Sequence, residues 1–349
     1  MITRRHPRGV SLLLVSASSL LLCGSVSLIG RAQAPAPLTL VSTIWPPFTD
    51  ESGRPRFALD LVETALDRTG RKARITLVTP TQFTSALVSG AFDGSAAVWK
   101  DAERERALLF SRPYMENRLV LVGRFGADVS ARTIRDLEGK RVALVEGYAY
   151  GEETENSGAV LVRSSSEEDS LALLLKGAVD YTLMDDLVVA YIVRNHPKES
   201  STRLQIGSTL VKRELYLAIR RSRSDAQAII TDFNAQLTSM IADRTYHRLL
   251  QVDWIEADIN GDSVLEYVPR EDRAGTTEPK RVYALFSPPQ TSIRLGEPKP
   301  GSDAPVKPGF YVGGNIYSDW ASVPDSYKVN TSRPPDPKRS TASIFNFRW

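Results

Sequence analysis

From residue 38 to about residue 254 the hydrophobic pattern switches repeatedly between short apolar runs and segments of helical period. That alternation restricts the chain to an α/β architecture, with helices packed on a sheet. The spacing predicts strands over 38–44, 73–78, 94–99, 118–122, 141–145, 159–162, 181–184 and 214–219. Between them, a helix over 57–68 places Leu61, Ala65 and Leu66 on one face and stops at Gly70, a residue suited to a left-handed cap. Ser165 with Glu168 three positions later reads as a capping box opening a helix over 167–176, closed by Gly177. A longer helical stretch over 224–250 carries the stripe Ile229, Phe233, Leu237, Ile241 and Leu249. The α/β region is longer than the ~100–150 residues of a common domain, so two lobes are expected. The first lobe is placed at 35–125, the second at 126–207, and a return to the first at 208–255. The crossings are expected near 122–131 and 205–209.

The flanks bound the rest of the problem. Arg4, Arg5 and Arg8 precede an apolar run over 10–29 that leads to the small residues Ala32 and Ala34. This is the pattern of a secretory signal peptide over 1–34, with repeated serines diluting the unbroken apolar stretch of roughly 20 residues that a membrane span needs. The only cysteine, Cys23, lies inside this segment. Its removal would leave no disulfide, no thiolate metal site and no cysteine nucleophile, so the fold must rest on its core. Of 44 basic residues, four (Arg4, Arg5, Arg8 and Arg31) fall in the same segment, leaving 40 against 41 acidic ones. A near-neutral mature chain lacks the basic field that nucleic-acid binding uses. Beyond Trp254 the composition turns to Pro, Gly, Ser and charge. Residues 256–349 are therefore expected to form a Pro/Gly-rich C-terminal extension, partly disordered, with ordered islands at 281–286 and 309–320.

The most specific stretch is Asp93-Gly94-Ser95-Ala96-Ala97-Val98-Trp99-Lys100-Asp101-Ala102-Glu103-Arg104, followed by Phe110-Ser111-Arg112-Pro113-Tyr114. Together with Trp45-Pro46-Pro47-Phe48 before it and Lys176-Gly177-Ala178-Val179-Asp180-Tyr181-Thr182-Leu183-Met184-Asp185 after it, this series resembles the extracellular solute-binding protein family 3. That family is the polar amino-acid-binding branch of the type II periplasmic binding proteins that serve ABC transporters. The resemblance covers about 38–252, in the right order and with near-family spacings. It implies an α/β, two-lobed type II periplasmic binding protein fold carrying the C-terminal extension. It also implies a monomeric periplasmic protein that captures a small polar ligand, an amino acid or related zwitterion, by hinge closure. The captured ligand would pass to ABC transporter membrane subunits encoded elsewhere, with no cofactor required.

A small zwitterion is well held by a guanidinium on its carboxylate and a carboxylate on its ammonium, because charge-assisted hydrogen bonds are strong and Arg can meet a carboxylate with two of them. The resemblance places Arg104 and Asp185 in those two positions. A surface arginine within 103–106 and an aspartate helix cap are the competing readings, with Asp186 as the alternative carboxylate. Trp45, Phe48 and Trp99 stand where aromatic residues wall such a cleft, and Tyr148 stands where the second lobe offers a hydroxyl. The sequence departs from the family at Asp101, where a threonine commonly contacts the ligand. A carboxylate there either pairs with Arg104 or recognises a second cation.

A second signal is the run Asp258-Ile259-Asn260-Gly261-Asp262-Ser263-Val264-Leu265-Glu266. Asp258, Asn260, Asp262 and Glu266 supply the oxygen side chains that Ca²⁺ prefers, in a run similar to the calcium loops of FG-GAP-type repeats; a turn between strands is the other reading. The three histidines are scattered, and neither a Gly-rich phosphate loop nor a Gly-x-Ser-x-Gly elbow occurs. Two further functions stay open at this point. One is a dehydratase-like periplasmic enzyme on the same scaffold, with Asp101, Glu146, Asp185 or Asp186 as acid or base. The other is a ligand-independent periplasmic adaptor that docks through its tail.

Overall fold

The computed structural model describes residues 36–250, 254–257, 259, 264–270, 278–279 and 309–328. The predicted signal segment, the 281–286 island and Asp258, Asn260 and Asp262 of the calcium reading lie outside these residues. The described chain begins β1 (Leu38–Thr43), α1 (Phe57–Arg68), β2 (Ala73–Val78), α2 (Pro80–Val88), β3 (Gly94–Trp99), α3 (Ala102–Ala107), β4 (Leu108–Phe110) and β5 (Met115–Arg124). It continues β6 (Arg141–Val145), α4 (Glu152–Glu155), β7 (Val160–Ser164), α5 (Glu167–Leu175), β8 (Tyr181–Asp185), α6 (Asp186–Asn195), α7 (Pro197–Arg203), β9 (Leu204–Arg220), α8 (Ala226–Ala242) and α9 (Thr245–Leu250). Four short strands follow: β10 (Trp254–Ala257), β11 (Glu266–Pro269), β12 (Phe310–Val312) and β13 (Asn315–Tyr317).

The main sheet runs β2-β1-β3-β9-β5-β8-β6-β7, with β4 paired to β9. In the first lobe β1 lies parallel to β2 and β3, and β3 is antiparallel to β9. In the second, β6 lies parallel to β7 and β8, and β8 is antiparallel to β5. Parallel strands need helical crossovers, and α1, α2 and α5 supply them in both halves. Helix α1 forms because Phe57, Leu61, Val62, Ala65 and Leu66 bury one stripe against the core; it ends where Gly70 takes φ +74°. Helices α8 and α9 pack against α1.

Where the strands change partners differs from the sequence reading. Met115 of β5 faces Leu215 of β9, while residues from Leu119 onward also pair with β8. Strands β5 and β9 stay paired from Met115 and Leu215 to Arg124 and Leu204, so the stretches expected as loops, 122–131 and 205–209, are in part strand. The glycine at the expected return serves packing instead: a Cβ on Gly207 would meet the Val129 carbonyl oxygen at 2.6 Å. The stretch read as one helix over 224–250 is two, broken where Arg244 adopts φ +65°. Arg244 is buried and sits 5.5 Å over the Tyr311 ring of β12, a tertiary contact that no local spacing announces.

The island expected at 309–320 is ordered, within the described residues 309–328. Strands β10 to β13 form a second sheet in which Trp254, Phe310, Val312 and Val323 make a small core. Ile255, Ala257 and Val268 join the main core. His247, wholly buried on α9, meets the Val268 carbonyl at 3.2 Å. Burial drives its pKa down to about 3, so the imidazole is neutral at physiological pH. Among the described residues no helix is long and apolar enough to cross a membrane, and no cluster of three metal-ligating side chains is present. Glu266, the described residue of the calcium reading, is buried in β11 and accepts from the Ile259 N–H at 3.2 Å.

Candidate functional site

Parallel strands of an α/β sheet present their carboxyl ends at a common edge, the usual place for a ligand cleft. Strand β1 ends at Thr43 and passes into a tight turn in which the Trp45 N–H donates to the Thr49 carbonyl at 2.7 Å. That turn stands Trp45 on Phe48, with ring centroids 4.3 Å apart. Strand β3 ends on Trp99, and α3 opens immediately after it with Asp101 as its cap, the side chain accepting from the Arg104 N–H at 2.7 Å. The short helix aims Arg104 back into the protein. From the other lobe, the loop after β6 brings Gly147, Tyr148 and Ala149 to the same place.

A glycine is required at 147 for two reasons. Its φ is +82°, and a Cβ there would meet the Pro80 carbonyl oxygen of α2 at 2.6 Å. The second lobe thus approaches the first backbone to backbone. Trp45, Phe83, Trp99, Arg104, Tyr148 and Leu215 line a small cavity of about 30 Å³, partly open to solvent, with Thr43, Ala97, Val98, Gly147 and Ala149. Three of the rings meet edge to face: Trp45 to Trp99 at 5.5 Å, Trp45 to Tyr148 at 5.8 Å and Trp99 to Tyr148 at 5.4 Å. Tyr150 extends the cluster, 5.6 Å from Trp99.

Four of the residues singled out in the sequence, Trp45, Trp99, Arg104 and Tyr148, come together in the cavity lining. Arg104 is 5% exposed, and its donors are directed at protein atoms. Nη1 donates to the Trp99 carbonyl at 2.8 Å, Nη2 to the Gly147 carbonyl of the other lobe at 2.9 Å, and Nε lies 3.3 Å from Asp101. Burial pulls the guanidinium below its ordinary pKa, opposed by Asp101. Asp101, the departure from the family pattern, is therefore both the helix cap and a counter-ion to Arg104, and it does not line the cavity.

Phe48 and Asp185 lie beneath the cleft. Phe48 is fully buried between Trp45 and Phe57. Asp185, also fully buried, caps α6 by accepting from the Leu187 N–H at 2.8 Å. Its other oxygen accepts from Asn117 at 3.0 Å and from the Arg118 N–H at 3.1 Å. Burial and neighbouring Asp186 push its pKa well up, while those three donors pull it down. Asn117 in turn accepts from the Trp99 indole at 2.7 Å. Asp185 thus reaches the cleft through Asn117, which fixes the Trp99 ring.

One group was not singled out from the sequence. Glu167 opens α5 and directs its carboxyl toward the Trp45 indole of the opposite lobe. Oε2 of Glu167 and Nε1 of Trp45 are both buried without a hydrogen-bond partner. Burial, with Glu168 beside it, raises the Glu167 pKa to about 8. The predicted capping box is shifted by one residue, since Ser166 caps the helix by accepting from Asp169 N–H at 3.1 Å. No sequence signal marks Glu167, because Trp45 comes from a distant part of the chain.

Comparison with known proteins agrees with this geometry. Residues 39–256 match the bacterial extracellular solute-binding proteins, family 3. The chain is 23% identical over 235 residues to a probable amino-acid ABC transporter-binding protein of Haemophilus influenzae, covering 66% of this chain and 85% of that one. It is 27% identical over 165 residues to the virulence sensor protein BvgS of Bordetella pertussis, covering 45% of this chain but only 13% of the sensor. The fold is similar to that of an ancestral arginine-binding protein bound to arginine, with a TM-score of 0.53, 23% identity and coverage of 63% and 98%.

Proposed function

This chain belongs to the bacterial extracellular solute-binding proteins, family 3, and on that premise we propose that it captures a small polar ligand, an amino acid or related zwitterion, in the cleft between its lobes. The observation that carries the reading is the single cavity wall built by Trp45, Trp99 and Arg104 from one lobe and Tyr148 from the other. A ligand held there touches both lobes at once and favours the closed arrangement by its differential affinity for it. Arg104 is the group for a carboxylate, provided the ligand displaces Asp101 or the Gly147 carbonyl from the guanidinium. Asp185 acts by positioning Asn117 and Trp99. Delivery in the periplasm to an ABC-type importer is the role that the similarity to the Haemophilus protein supports.

The similarity to the sensor favours a second reading, in which the same two-lobed unit serves as the input domain of a signalling protein. The two readings share the ligand site and differ in the partner. Thermal unfolding of the chain from residue 35 onward, against a panel of amino acids, amines and small carboxylic acids, tests the shared part. A ligand that binds only the folded form stabilises it by about 2.7 kcal/mol at a hundred times its dissociation constant. A shift with an amino acid that is abolished in Arg104→Ala upholds the reading, and an unmoved midpoint across the panel rejects it. Crosslinking of the liganded protein to its membrane partner then separates importer from sensor.

A further inference from the structure

We propose that Arg213 is a positioning residue that fixes how closely the second-lobe loop from Gly147 to Gly151 approaches the first lobe, and so sets the width of the cleft. The role rests on the reading of the cleft as a solute site, but the spacing itself is measured without any solute. Arg213 stands on β9 two residues before Leu215, which lines the cavity, and alternate residues of a strand share a face. Directly opposite it on β5 is Asn117, whose side chain accepts from the Trp99 indole. The guanidinium therefore lies beside the cleft rather than in its lining, where β9 begins to pair with β3 as well as β5.

Its contacts run in two directions. Nη2 donates to the Lys100 carbonyl at 2.6 Å, between Trp99 at the end of β3 and Asp101, the cap of α3. Nη1 lies against Gly151, where a Cβ would come within 2.9 Å of it. Gly151 also holds φ +101°, so the close approach and the backbone both call for glycine. Arg104 holds the other end of the same loop by donating to the Gly147 carbonyl at 2.9 Å. Two guanidiniums thus bracket the loop at its two glycines. Tyr148 and Tyr150, which meet Trp99 edge to face, are carried between them.

A second guanidinium in this place is costly for the fold. Its Nε is buried without a hydrogen-bond partner, burial disfavours its charge, and it repels Arg104. Asp101 attracts both guanidiniums, which gives the carboxylate that departs from the family pattern a second task. A lysine would keep the charge but not the planar fork that bonds a carbonyl through one nitrogen while pressing another against a backbone. That fork makes Arg213 a stop. It is tied to the first lobe through Lys100 and butts against the second at Gly151, while Arg104 draws the same loop inward at Gly147.

The test is a distance measurement between the lobes by pulsed electron paramagnetic resonance. The full chain carries Cys23→Ser, which removes its only native cysteine, and spin labels on Glu51→Cys after β1 and Glu153→Cys on α4, both exposed positions. We expect Arg213→Ala to shorten the mean distance by more than about 2 Å, the scale that separates rearrangement from side-chain adjustment, and Arg213→Lys to shorten it less. Gly151→Ala should lengthen the distance, because its Cβ meets a guanidinium that can yield only by leaving Lys100, and should lose that effect in the Arg213→Ala background. A thermal midpoint recorded on each variant separates positioning from stability. A lowered midpoint with the lobes unmoved overturns the proposal, and so does a Gly151→Ala shift that persists without Arg213. If Arg213→Ala does not fold, Arg213→Lys and Gly151→Ala read the same spacing, and an unmoved distance in both overturns it. No solute enters the measurement, so the solute-binding reading holds or falls separately, on the thermal panel.

Discussion

Arg104 and Glu167 come from opposite lobes and differ in how the protein treats them. The guanidinium is engaged on three sides, by the Trp99 and Gly147 carbonyls and by Asp101, and its bond to Gly147 ties one lobe to the other. The carboxyl lies against the Trp45 indole of the opposite lobe, and burial raises its pKa to about 8. One charge is a structural fastener with three partners; the other has the Trp45 indole beside it and Glu168 of like sign. The difference teaches that the residue most readily assigned to a ligand from its motif need not be the one with bonding capacity left to offer.

The sharpest way to break this comparison is to remove each group and watch stability. Arg104→Ala should cost about 3 kcal/mol, because buried charge-assisted bonds are lost and two carbonyls are left without donors; urea denaturation measures it. Glu167→Gln should have the opposite sign. A carboxyl whose pKa is raised on folding contributes most at low pH and loses that contribution as pH rises from its unfolded value toward about 8. The Gln variant should therefore match the wild type near pH 4 and exceed it by pH 8. A costless Arg104→Ala, or a Glu167→Gln that destabilises at every pH, would erase the contrast.

Asp185→Ala should cost about 2 kcal/mol, since a helix cap and the contact to Asn117 disappear together. It should also loosen Trp99, seen as a change in tryptophan fluorescence. An unaltered spectrum would show that Asn117 holds the ring unaided. The smallest effect is expected from Asp101→Thr. Threonine also caps helices, so the fold should tolerate it, but the carboxylate 3.3 Å from Arg104 Nε is removed. Affinity for carboxylate ligands should rise by up to about fivefold, the scale of a partly exposed ion pair. A fall in affinity would mean that Asp101 itself contacts the ligand.

Much of the fold was legible. Strands β2, β3 and β6 and helix α1 occur at their predicted bounds because each is defined by its own periodic pattern and bounded by Gly or a turn. Strand β9 runs from Leu204, ten residues before its predicted start at 214, because its first half is only half-buried and shows little apolar contrast. Strands β10 to β13 carry no periodic signal for a related reason. They are three or four residues long, too short to show a period, and they are organised by Trp254, Phe310 and Trp320 packing on one another.

By itself the sequence determined the α/β class and, through its resemblance to a family, pointed to Trp45, Trp99, Arg104 and Tyr148, which the structure brings to one cavity lining. Only the tertiary structure decided which of the charged residues are satisfied. Asp185 is a buried cap, Asp101 is the partner of Arg104, and Glu167 packs against Trp45. Local spacing follows from the geometry of one element, whereas the solvation and pairing of a charge depend on what distant segments bring within a few ångströms, and that is settled when the lobes pack.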